Sequence, residues 1–153
     1  MRRFKLFSLL LILACLSHHA ASAANKIVKV LPHYLDQEGR HTLSPSLYER
    51  DAYQAHLRKH KEMISALRFD IQWKAPTGDK SNLKMRVEIR GGKNLGAKPV
   101  VMEQSIKPGK GFGNWAALSL PKETYEQLGE MVAWRVTLWN GDQQIAEQKS
   151  FLW

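Results

Sequence analysis

The chain has 153 residues, 44% of them hydrophobic, with 23 Lys+Arg against 14 Asp+Glu and one cysteine, Cys15. That length suits one domain with a sizeable core, and a lone cysteine excludes an internal disulfide framework and a zinc–thiolate cluster. A basic but mixed charge with no nucleic-acid-binding module argues against nucleic acid and for anionic partners.

The N-terminus reads as an export signal. Met1-Arg2-Arg3-Phe4-Lys5 is a positive segment, Leu6 to Leu16 is an apolar run too short to span a bilayer, and Ala21-Ser22-Ala23 is a small-x-small cleavage site. These features predict a signal peptide over 1–23, a mature chain starting at Ala24, and a secreted or periplasmic location by the general secretory route. Ile12-Leu13-Ala14-Cys15 offers an alternative, a lipobox whose Cys15 would carry a lipid anchor. Cleavage after Ala23 removes the cysteine, so no thiol nucleophile remains. It also removes three cations, leaving 20 Lys+Arg against 14 acids, a net +6.

Ile27 to Leu35 reads as an extended segment that Pro32 restricts to a kinked edge strand. Asp36 to Ser44 is a polar loop, and Ser44-Pro45 predicts a helix with Ser44 as N-cap, running over about 45–61. Residues 67–74 then alternate, with Leu67, Phe69, Ile71 and Trp73 opposite Arg68, Asp70, Gln72 and Lys74. Residues 83–90 repeat the pattern, with Leu83, Met85, Val87 and Ile89 opposite Lys84, Arg86, Glu88 and Arg90. Further strands are predicted at 100–106, 115–120, 132–139 and 144–153. The last two flank Asn140-Gly141, a hairpin signal, and a short helical turn over 122–128 is stopped by Gly129.

Seven alternating strands, a crossing turn before the sixth and a C-terminal hairpin resemble an immunoglobulin-like or fibronectin-like sandwich over residues 27–153. The expected fold is all-β, one sandwich domain over 24–153 with a helix inserted after its first strand. It lacks the cysteine pair of antibody domains, and a fold of this kind implies no activity by itself.

Three candidate sites emerge. On the helix, His56 and His60 at i and i+4, with Glu49 or His33 as a third ligand, could meet on zinc or copper. Leu57 follows the first histidine, so this is no metalloprotease motif. A helical wheel puts both histidines on an apolar face with Tyr48, Ala52, Tyr53, Leu57, Met63 and Ile64, and Gln54 on the polar side. The other reading is a helix packed on the sheet with hydrogen-bonded histidines.

The second candidate is a pair of glycine loops, 90–98 and 107–114. If they share one end of the sandwich, Arg90, Lys93, Lys98, Lys107 and Lys110 beside Phe112 and Trp115 form an anion- or glycan-binding rim. The third is a sheet face. With Val132, Trp134, Val136 and Leu138 inward, Ala133, Arg135, Thr137 and Trp139 point out beside Lys84, Arg86, Glu88 and Arg90. That predicts a cationic surface with an exposed Trp139 at one edge.

No Gly-x-Ser-x-Gly elbow is present. The expectation is therefore a non-catalytic exported binding or adaptor domain, needing no cofactor and engaging an envelope protein or anionic glycan surface through Arg86, Arg90, Arg135 and Trp139. A metal-binding protein using His56 and His60, and a carbohydrate-binding accessory domain using its aromatics, are the alternatives.

Overall fold

The computed structural model describes residues 24–75, 80–94, 96, 98–109 and 113–153. The expected signal peptide, Cys15, Lys110 and Phe112 lie outside them. Among the described residues, seven strands form two antiparallel sheets. They are β1 (Lys26–Leu35), β2 (Ala66–Lys74), β3 (Leu83–Gly91), β4 (Val100–Ser105), β5 (Asn114–Pro121), β6 (Met131–Asn140) and β7 (Gln143–Lys149). The sheet orders are β1-β2-β5 and β4-β3-β6-β7. Among the described residues, no helix is long and apolar enough to cross a membrane.

The core follows from alternation. Leu67, Phe69, Ile71 and Trp73 of β2, Met85, Val87 and Ile89 of β3, and Val136 and Leu138 of β6 belong to one buried cluster, none more than 1% exposed. At roughly 1.5–3 kcal/mol for each large apolar side chain fully buried, this cluster is the main favourable term of the fold. The Asn140-Gly141 hairpin forms with Gly141 at φ 57°, and Asn140 is paired with Gln143. β7 ends at Lys149, earlier than the sequence pattern predicts, because Ser150 turns back onto β6. Its N–H donates to Trp134 O (2.9 Å), and its hydroxyl accepts from Trp134 N–H (3.0 Å).

Helix α1 (Leu47–Lys59) lies between β1 and β2, and α2 (Lys122–Leu128) between β5 and β6. The N-cap of α1 is Ser46, not Ser44, with Ser46 Oγ accepting from Glu49 N–H at 3.5 Å. Ser44 instead braces the turn before it, Ser44 Oγ accepting from Ser46 N–H.

The buried face of α1 also differs from the hydropathy pattern. Leu57 is fully buried and Gln54 is 8% exposed, whereas Tyr48 is 83% exposed and Ala52, His56 and His60 face solvent. The reason is hydrogen bonding. Gln54 Oε1 accepts from Tyr34 N–H (2.8 Å), while its Nε2 donates to Tyr34 O (2.9 Å) and His41 O (2.8 Å). The carboxamide meets the backbone of β1 as a neighbouring strand would. Where α2 approaches β3, a Cβ on Gly91 would sit 2.1 Å from Leu128 O, so only glycine admits that contact.

Asp36 is the second anchor. Its carboxylate, 2% exposed, accepts from the N–H groups of Glu38 (3.0 Å) and Arg40 (2.8 Å), from Arg40 Nε (2.8 Å) and from Tyr53 OH (2.7 Å). Burial alone would raise its pKa. The Tyr53 and Arg40 hydrogen bonds outweigh burial and hold it down at about 2.

Two outcomes are expected. Gln54→Leu leaves three carbonyl or N–H groups without partners and should cost about 2–3 kcal/mol in urea unfolding, with Gln54→Glu no better because Tyr34 O and His41 O need donors. A carboxylate held below its unfolded pKa stabilises the fold above that pKa and loses the effect as pH falls toward the folded value. Stability should therefore drop between pH 4 and about 2 by an Asp36 contribution on the order of 1 kcal/mol after screening. Asp36→Asn should flatten that part of the pH profile.

Candidate functional site

The outer face of the four-stranded sheet carries the cationic side chains of β3 and β6. Register sets the neighbours: Lys84 opposite Trp139, Arg86 opposite Thr137, Glu88 opposite Arg135 and Arg90 opposite Ala133. β4 adds Glu103 beside Arg86 and Val101 beside Glu88, and β7 adds Lys149 beside Arg135 and Glu147 beside Thr137. Arg86, Arg90, Arg135 and Trp139 thus share one face.

Most of these charges are already paired. Arg135 donates from Nε and Nη2 to Glu88 Oε2, both at 2.6 Å, and Glu88 is 7% exposed. Lys84 and Arg86 converge on Glu103 at 3.2 and 3.3 Å. Arg90 has no carboxylate partner among the described residues. Its guanidinium lies over the ring of Trp153, Cζ 4.6 Å from the centroid, and Arg135 Cζ is 5.0 Å from the same ring. Arg90 Nε is buried without a hydrogen-bond partner among the described residues, so stacking on Trp153 is the contact that holds its guanidinium.

Trp139 is not the exposed anchor expected. It is partly buried, its Nε1 donating to Thr137 Oγ1 at 2.8 Å along its own strand. Thr137 is only 1% exposed, and so turns no polar group to solvent. Val132, expected inward, is 37% exposed while Ala133 is 2% exposed, next to a register shift between Arg90 and Gly91. Trp153, likewise partly buried, is the indole that meets the arginines of this face. Nothing in the alternation pattern signals this, because Trp153 follows the turn at Ser150 that ends the strand.

The described ends of the two glycine loops leave the β3–β4 pair at opposite ends. The first joins the Gly91 end of β3 to Val100 of β4, which pairs with Ile89. The second leaves β4 at Ser105, which pairs with Lys84. Lys93 is turned to structure, its Nζ donating to Glu126 O of α2 at 2.8 Å. Trp115 stands 54% exposed on the outer face of the other sheet, away from Arg86, Arg90 and Arg135.

At the C-terminal end of α1 the ring of His56 and that of the capping residue His60 approach to 4.3 Å. His60 Nδ1 faces Glu62 Oε1 at 3.3 Å, and among the described residues no three His, Cys, Asp or Glu side chains are placed to hold a metal. His33 is instead buried on the outer side of β1, its Nε2 3.4 Å from Asp70 Oδ2 and its ring 4.6 Å from that of His41. Arg68 Nη2 donates to Asp70 Oδ2 (2.9 Å) and lies 3.4 Å from His41 Nδ1. Burial, with His33 and Arg68 nearby, lowers the His41 pKa. For Asp70, burial is outweighed by the His33 and Arg68 hydrogen bonds, which hold its carboxyl below the ordinary range.

No known protein family, curated protein or solved structure matches the chain.

Removing Glu88 strands the Arg135 guanidinium against the sheet. Glu88→Ala should lower stability by about 2 kcal/mol, read as a fall in the urea midpoint, and Glu88→Gln by less, because a carboxamide oxygen still accepts from Arg135.

Proposed function

We propose that this chain is an exported, non-catalytic binding domain of the immunoglobulin- or fibronectin-like kind. In this reading it engages an acidic surface of a partner protein in the cell envelope through the outer face of its four-stranded sheet. Export rests on the order of positive, apolar and small residues in 1–23. The fold reading is supported by strand order. If β1, β2 and β5 are taken as the A, B and E strands and β3, β6 and β7 as C, F and G, then β4 lies beside C and α1 is an insertion between A and B.

The observation that carries the binding reading is the Arg90–Trp153–Arg135 stack. Arg and Trp dominate the energetics of protein interfaces because they combine a large contact area with directed donors. Here both arginines are held in place before any partner arrives, one by Glu88 and both by an indole ring. Less side-chain freedom is then lost on binding. The same face sets Lys84, Arg86, Arg90, Arg135 and Lys149 against Glu88, Glu103 and Glu147, so it complements an acidic partner.

A photoreactive residue at Val101, 42% exposed on this face, should crosslink one defined envelope protein in living cells. The double change Arg86→Glu and Arg90→Glu should reduce that product at least tenfold, and added salt should weaken it. A yield indifferent to both would remove the proposal.

A further inference from the structure

We propose that the outer face of the three-stranded sheet is a binding site for a carboxylated polysaccharide, with Trp115 as its stacking platform. The two sites lie on the outer sides of different sheets, so this inference stands apart from the protein-partner reading.

β5 sends Ala116, Leu118 and Leu120 into the core and turns Trp115, Ala117 and Ser119 outward, all three exposed. One exposed indole on a surface is ordinary. Its surroundings here are not. Ala117 and Ser119 are the next outward residues on its own strand, and both are small, so no bulky side chain of β5 flanks the indole on that side. The neighbouring strand supplies a row of planar polar groups in register: Gln72 beside Trp115, Asp70 beside Ala117 and Arg68 beside Ser119. β1 continues those rows with Lys29, Leu31 and His33.

That layout matches the two-sided chemistry of a sugar ring. The C–H face of the ring packs on an aromatic plane, while its hydroxyls take paired hydrogen bonds from carboxamide, carboxylate and guanidinium groups at the rim. The polar row is also fixed in place, by Arg68 donating to Asp70 (2.9 Å) and by His33 lying 3.4 Å from the same carboxylate. Beyond His33 the face runs into a depression of about 170 Å³ lined by Leu31, Pro32, His33, Arg50, Asp51, Gln54 and Arg58. From strand rise and spacing, Trp115 and this depression are on the order of 15 Å apart, room for a short run of sugar residues.

Charge selects the kind of glycan. Asp70 is matched by Arg68 and Asp51 by Arg50, whereas Lys29, Lys74 and Arg58 have no carboxylate partner among the described residues. The surplus is cationic, which favours a chain bearing carboxylates over a neutral one.

Affinity electrophoresis of the purified protein in gels containing polygalacturonate, with hydroxyethyl cellulose as the neutral probe, tests this. Polygalacturonate should retard the protein, and retardation should fall with salt. Trp115→Ala should weaken binding at least tenfold without lowering the melting temperature, Trp115→Phe should keep most of it, and Lys29→Glu should weaken it several-fold. Arg90→Glu, on the other sheet, should leave retardation unchanged, which separates this site from the protein-binding face. No retardation in polygalacturonate, equal retardation by the neutral polymer, or an unaltered Trp115→Ala protein would each overturn the proposal.

Discussion

Two inward rows, Leu67-Phe69-Ile71-Trp73 and Met85-Val87-Ile89, meet across the sandwich, and every surface feature is positioned by that contact. Because β2 and β3 are pleated, fixing their apolar side chains inside fixes Arg68, Asp70 and Gln72 on one outer face and Lys84, Arg86, Glu88 and Arg90 on the other. A slip of one residue in either strand would bury the charged row and expose the core. The cost of that exchange holds the register, and the register holds both binding surfaces.

Polar anchors do a different job. The apolar core places the strands but leaves α1 underdetermined, since Leu57 is its one fully buried apolar residue. Gln54 and Asp36 supply the missing direction. The first docks the helix on the backbone of β1, and the second ties the helix through Tyr53 to the turn that follows β1. Hydrogen bonds have narrow geometry where apolar contact does not, so these residues set where the helix sits more than how strongly it is held.

The legible part of the molecule is the part governed by a short period. β2 and β3 fall where alternation puts them, and the hairpin forms where Asn140-Gly141 allows its turn. The helix face was less readable because a hydropathy wheel ranks Gln54 as a surface residue, and only the backbone of β1, some 20 residues away in sequence, gives its carboxamide partners. The settings of Trp153 and Trp139 are hidden from the sequence for a similar reason. Each indole settles according to what lies beside it in space, Arg90 and Arg135 for one and Thr137 for the other, and neither neighbourhood is written in local sequence. The separation of the glycine loops follows from strand order alone, which the spacing of strands along the chain leaves open.

The meeting of Gln54 with Tyr34 also bears on self-association. β1 is an outermost strand, and such strands offer unpaired backbone groups on which a second molecule can add itself. Along this rim Pro32 has no N–H to give, and two positions later both the N–H and the carbonyl of Tyr34 are occupied by the glutamine. An incoming extended chain would find no continuous run of donors and acceptors there. The side chain that seats the helix therefore also takes up the free backbone edge of the first strand at Tyr34.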